Sequence, residues 1–260
     1  MVQGAPGILS RIVESKADVV QRARPRQVQL EQRAQQRSDF RDFRAALEAC
    51  RPAIIAEIKQ GSPSKGTFTH KFDPAAIAKD YAAGGAAALS VLTDAEFFHG
   101  SLEDLEAARE AVALPALRKD FTIDEFQVIE AAAHGADAVL LIAAILSESE
   151  IRGLRELATT YHMAALVEVH DESELSRALG SGAEIIGVNN RNLHTFEVSL
   201  ETSLRLVPKI PSNVLKVSES GLHSRAALEQ LEAAGFQAFL IGEHLMKAPD
   251  RAAALKGLLP

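Results

Sequence analysis

The chain has 260 residues, 47% of them hydrophobic and 24% charged, which is enough to bury a full core as one large domain or two small ones. Its net charge of -7 and pI near 5.7 exclude a general nucleic-acid or anionic-membrane surface, since an acidic protein does not attract polyanions at long range. Cys50 is the only cysteine, so no intrachain disulfide forms. With no apolar run of signal-peptide or membrane-span length, the cytoplasm is the expected compartment.

Residues 1–50 hold nine Lys/Arg against six Asp/Glu, a local excess that reads as a solvated helix face rather than a nucleic-acid arm. Within them "ILSRIVESKADVVQRA" reads as an amphipathic helix through Ile8, Ile12, Val19 and Val20, packed across one end of whatever follows. From residue 53 onward, short β-branched runs alternate with helical patterns. The strand candidates are "AIIAEIK" from 53, "AALSVLT" from 87, "PALRKDF" from 115, "AVLLIAAI" from 138, "AALVEVH" from 164, "IIGVNN" from 185, "VLKVSES" from 214 and "AFLIGEHL" from 238. Intervening segments such as "DPAAIAKDYAAGG" and "SESEIRGLRELATTYH" open on Asp or Ser, which accept from first-turn amides. Eight strand-then-helix repeats are what a closed parallel (β/α)₈ barrel, the TIM barrel of the α/β class, requires. An open doubly wound sheet fits less well, because no GxGxxG follows the first strand. The expected organisation is therefore an N-terminal helical extension over 1–50 on a barrel over 51–260.

Barrels of this kind place their chemistry at the carboxyl ends of the strands. Glu57 and Lys59 lie two apart in the first run and so share a face. Lys119 ends the third run, Glu168 the fifth, and Asn189 the sixth, with Arg191 just beyond; Glu219 and Ser220 end the seventh. Each alone has a structural reading as an ion pair, a rim side chain or a turn former. Together, two lysines and three glutamates converging on one rim cost several kcal/mol each to bury unless they are paired, which points to catalysis.

The seventh and eighth turns add Ser220-Gly221 ahead of a helix and Gly242 after a strand. Glycine there lets backbone amides approach an anion, the usual barrel phosphate site, so a phosphorylated small-molecule substrate is expected. "GSPSKG" after the first strand reads as a mobile loop over the mouth, with Ser62, Ser64 and Lys65 as donors and Gly61 and Gly66 as hinges. Ser90 and one of Phe97 and Phe98 are further candidates in the second unit. The eight histidines lack metal-ligand spacing, so no metal is expected, and His170 and His244 read as loop residues near the mouth.

The motifs "IIAEIKQGSPSKG", "ALSVLTDAEFFHGSLEDL", "LPALRKDFTIDEFQVIEAAAHGADAVLLI", "LVEVHDESEL", "GVNNRNLHTFEV", "VSESGL" and "FLIGEHLM" resemble, in order, those of the indole-3-glycerol phosphate synthase family, and the leading helix is similar too. The resemblance implies a lyase of tryptophan biosynthesis with no cofactor. It implies Lys119 as general acid, Glu168 as base, and Glu57 and Lys59 in acid/base work and positioning, with the division between Lys59 and Lys119 left open. Asn189, Glu219 and Ser220 match further active-site positions. Ser62 and Arg191 match polar contacts, Ser90, Phe98 and Leu140 the wall, and Gly221, Leu240, Gly242 and Glu243 the phosphate end. Departures from the family pattern are Gln60-Gly61, Ser199, and His244, where a small residue such as serine is commoner. A Schiff-base lysine enzyme and a non-catalytic phosphosugar-binding barrel are the alternatives. With no strongly apolar exposed stripe, a monomer is the default.

Overall fold

All eight apolar runs form strands: β1 (Ala53–Ile58), β2 (Ala88–Leu92), β3 (Ala116–Lys119), β4 (Ala138–Ile142), β5 (Ala164–Val169), β6 (Ile185–Asn189), β7 (Leu215–Glu219) and β8 (Ala238–Ile241). Neighbours in the chain pair in parallel, and β8 closes on β1 with Ala53 opposite Ala238 and Ala56 opposite Ile241, giving a closed barrel. The computed structural model describes residues 7–62, 66, 67, 72–192 and 196–260, with the side chains of Ser62 and Thr67 excepted.

Three strands, β3, β6 and β7, end on a polar rim residue, Lys119, Asn189 and Glu219. The "PALRKDF" run stops at Lys119 because the Asp120 carboxylate accepts from the Phe121 amide at 2.8 Å, a local bond that competes with the ladder. The expected helix starts hold. Asp73, Ser101, Asp124 and Ser224 each accept from a first-turn amide of Pro74–Gly84, Leu102–Ala111, Glu125–Ala133 and Arg225–Ala234. Ser147 and Glu150 form a reciprocal capping box on Glu148–Thr160.

Ahead of the barrel, α1 (Ile8–Ala23) runs through a single 3₁₀ turn into α2 (Gln27–Gln35). The buried face of α1 is Leu9, Ile12, Lys16, Val20 and Ala23, a three-and-four spacing. Val19, expected on that face, is 43% exposed instead, one step of about 100° away from Val20. Leu9, Val20, Leu30, Phe43 and Leu47 belong to the same buried apolar cluster as the barrel strands. Lys16 is buried because its ammonium sits between two carboxylates, 2.8 Å from Asp94 after β2 and 2.7 Å from Asp120 after β3. Among the described residues, no helix is long and apolar enough to cross a membrane.

Candidate active site

A cavity of about 430 Å³ opens at the carboxyl rim of the strands. Of the residues that the family resemblance assigned to the site, all but Ser62 and Ser90 line it, while Phe97 and His170 do not. The side chain of Ser62, with Ser64 and Lys65, lies outside the described residues. Ser90 is fully buried in β2, in register with Glu57, and its hydroxyl has no hydrogen-bond partner among the described residues. Gly61 and Gly66, read as hinges, belong to a two-residue antiparallel ribbon, Gly61–Ser62 with Gly66–Thr67.

The charged centre is built from four strands. Lys119 Nζ donates to Glu168 Oε2 at 3.3 Å, and Lys59 pairs with Glu57. Burial opposes the Lys119 charge, but Glu168, Glu219 and Glu57 outweigh it and hold the ammonium above its ordinary pKa. Glu168 is also buried; Lys119 and then His170, with hydrogen bonds from Asn189 and Lys119, nevertheless keep its carboxyl below the usual range. Glu219 differs. Burial, then the neighbouring Glu168, push its carboxyl up to about 8 against the pull of Lys119, and Glu57 adds to the push. One of its oxygens has no hydrogen-bond partner among the described residues. At neutral pH the cluster thus holds an ammonium, an ionised carboxylate and a protonated carboxyl within one cavity, the separation of acid and base roles that multistep proton transfer needs.

Two glycines make the cluster possible. A β-carbon on Gly242 would come within 2.1 Å of Glu57 Oε1 and 2.9 Å of Lys59 Nζ, and one on Gly187 within 2.1 Å of Glu219 Oε1. Gly187 was not legible as a site residue, because a glycine inside a strand run signals only close approach of something unknown.

The apolar end is walled by Phe98 and Phe121, with ring centroids 6.0 Å apart, and by Leu140. Ile8, Leu9 and Ile12 of α1 complete it. The sequence placed that helix across an end of the barrel without assigning it to the cavity. At the opposite end, Ser220 and Gly221 both take positive φ, 68° and 78°, and Gly242 precedes the short helix Glu243–Lys247. Phe196 and Val198 reach this end from the segment after β6, where Arg191 bridges to Val198 and donates to the Phe196 carbonyl at 3.3 Å. His223 and His244 also line the cavity.

His170 is not among the lining residues but sits behind Glu168. Its Nδ1 is 3.0 Å from Glu174 Oε2, and its Nε2 is 3.4 Å from Glu168 Oε1. Burial lowers the imidazole's pKa, but Glu174 and Glu168 raise it more, leaving it above the ordinary value. The adjacent "EVH" letters were the available signal. Among the described residues, no group of three His, Cys, Asp or Glu side chains is arranged to hold a metal ion.

Comparison with known proteins supplies the rest. The family model described as indole-3-glycerol phosphate synthase matches residues 9–258. The chain is 50% identical over 257 residues to the indole-3-glycerol phosphate synthase of Albidiferax ferrireducens, covering 96% of this chain and 97% of that one. It is 51% identical over 222 residues to that of Koribacter versatilis, covering 84% and 85%. Among solved structures, 3-hexulose-6-phosphate synthase aligns with a TM-score of 0.63 at 19% identity over 79% of this chain and 97% of that one. Thiamine phosphate pyrophosphorylase from Pyrococcus furiosus aligns at 0.60 and 16% over 80% and 93%. Both likenesses speak to the barrel alone. A match running through all eight strands, at half identity with full-length relatives, decides membership: the chain belongs to the indole-3-glycerol phosphate synthase family.

Proposed function

We infer that this chain closes the indole ring, converting 1-(2-carboxyphenylamino)-1-deoxyribulose 5-phosphate into indole-3-glycerol phosphate, carbon dioxide and water in tryptophan biosynthesis. The observation that carries the assignment of roles is the Lys119 ammonium held among Glu168, Glu219 and Glu57 inside the cavity.

Lys119 is the proton donor. As the aromatic carbon bearing the carboxylate attacks the ketose carbonyl, the oxygen gains negative charge, and an ammonium beside it both stabilises that charge and delivers the proton. Loss of carbon dioxide restores electrons to the ring. Loss of water then needs a base to take a proton from the intermediate and an acid to protonate the departing hydroxyl. Glu168, ionised, is the base; Lys119 and the protonated Glu219 are the donors within reach of the same ligand. Lys59, fixed by Glu57, and Arg191 offer cations to the substrate's carboxylate and phosphate. Asn189 supports Glu168, and Ser220 with the backbone at Gly221, Gly242 and Glu243 receives the phosphate, with Leu240 beneath. Phe98, Phe121, Leu140 and the α1 residues take the flat ring. Residues 1–50 serve as an extension of the barrel, and the chain works as a monomer.

A Schiff-base mechanism needs an unprotonated lysine, and the surrounding carboxylates hold Lys119 in the opposite form. Purified protein supplied with the substrate is expected to form one carbon dioxide per indole chromophore, and Lys119→Met to lower kcat by about 10²–10⁴. Borohydride added during turnover is expected to leave both Lys59 and Lys119 unmodified. A covalent adduct at either lysine, or wild-type-like turnover by the methionine variant, refutes these roles.

A further inference from the structure

The phosphate end of the cavity carries two titratable rings that the reaction steps above do not use. His223 follows Leu222 in the turn after β7, and His244 is the second residue of the helix Glu243–Lys247 after β8. Both line the cavity, and their ring centroids are 6.1 Å apart at an interplanar angle of 58°. Neither imidazole has a hydrogen bond or ion pair with another described residue. They stand beside Gly221 and Gly242, on the two turns expected to receive the phosphate.

The charges around them are otherwise committed. From β1 come Glu57 and Lys59, paired to each other; from β7 comes Glu219, directed at the Lys119 cluster. On the helix that carries His244, Glu243 and Lys247 are paired at 2.8 Å. The helix packed behind it, Arg251–Lys256, contributes Arg251, bound to Asp80 at 3.3 Å, and Lys256. Behind His223, Arg225 is held by Glu229 at 2.9 Å and Glu232 at 3.7 Å. From the segment after β6 comes Arg191, which with Lys59 beside Gly242 supplies the cationic side chains of the described residues at this end of the lining. A phosphate dianion brings about two negative charges, so one guanidinium, an ammonium already paired with Glu57 and the backbone amides leave it incompletely neutralised.

We propose that His223 and His244 form a protonation-coupled clamp on the substrate's phosphate, in which one ring takes up a proton as the phosphoryl group arrives. The proposal rests on the reading that this end of the cavity holds the phosphate.

Its direction follows from electrostatics. In the empty cavity, burial and then the neighbouring His223 keep the His244 imidazole below its ordinary pKa, so it is uncharged at neutral pH. An arriving dianion favours the imidazolium and raises that pKa. Affinity therefore increases as pH falls through the bound-state value, until the phosphate's own second ionisation near 6 removes the charge being recognised. A serine at this position would offer a hydroxyl but no such coupling.

The test uses the full chain with the reaction product, indole-3-glycerol phosphate, as probe. Calorimetric titration at pH 7.5 in two buffers of different ionisation enthalpy reads the protons bound per site. Wild type is expected to take up a substantial fraction of a proton. The His223→Gln/His244→Ser double variant is expected to take up almost none, and to bind about 5–20-fold more weakly at pH 6.5 but within twofold at pH 8.5, as loss of a charge-assisted hydrogen bond implies. Tight product binding with equal proton uptake and parallel pH profiles in both proteins overturns the clamp and leaves the phosphate reading standing. Binding of the dephosphorylated product as tightly as the phosphorylated one overturns both.

Discussion

Glu219 shows how one side chain is kept out of its ordinary state. Its carboxyl titrates near 8 where a free glutamate is near 4.5, because burial and Glu168 oppose a further negative charge. The folded protein holds this proton more tightly than the unfolded chain, so the stability the group contributes is complete below the ordinary value and is lost as pH climbs through about 8. Glu219→Gln mimics the protonated form at every pH. It is expected to match wild type in urea denaturation at pH 4.5, and to exceed it by several kcal/mol at pH 8.5 while losing activity. Parallel loss of stability by both proteins across that range would assign the titration elsewhere. The identity of Glu219 as a rim residue was legible from its place at the end of a strand run. Its protonation was not, since that depends on Glu168 and Glu57 arriving from other strands.

At the scale of elements, α1 is the part of the molecule least readable in advance. Ile12 and Val20 marked its inner face correctly, but Lys16 falls in the same stripe and looked like solvent-facing charge. Its carboxylate partners, Asp94 and Asp120, stand in two different turns, and no local pattern connects them to it. Asp94 also caps the short helix Ala95–Phe98, whose last residue lines the cavity, and Asp120 follows Lys119 directly. Lys16→Met leaves two buried carboxylates without their shared cation, although Arg118 and Thr93 still reach Asp120. A loss of about 3 kcal/mol in urea denaturation is expected, with Lys16→Arg recovering part of it. A loss under half a kcal/mol would mean that the carboxylates are adequately held without α1.

For the molecule as a whole, the alternation of eight apolar runs with capped helices made the barrel readable, because strand and helix periods differ and the caps punctuate them. The rim charges were readable for a related reason: ionic residues stand out at the ends of strands that are otherwise buried. What the letters do not carry is the space between strands, which is why Gly187 and the α1 contribution to the cavity emerged only in three dimensions. Among the described residues, the exposed large apolar side chains are scattered, with Val19 and Val28 on the leading helices, Phe40 before α3 (Phe43–Glu48), and Phe196 with Val198 at the cavity mouth. Sedimentation is accordingly expected to give a single species near 27.9 kDa, and a stable species of twice that mass would point to an interface that these side chains do not suggest.

Gly242 lies at the junction of the first and last barrel strands, with Glu57 and Lys59 leaning into the room its absent side chain leaves. The pair therefore acquires its working surroundings only when the final strand docks beside the first. A nascent or truncated chain, however much of its architecture has formed, has no finished reaction chamber, and turnover becomes a direct signal that the cylinder has shut.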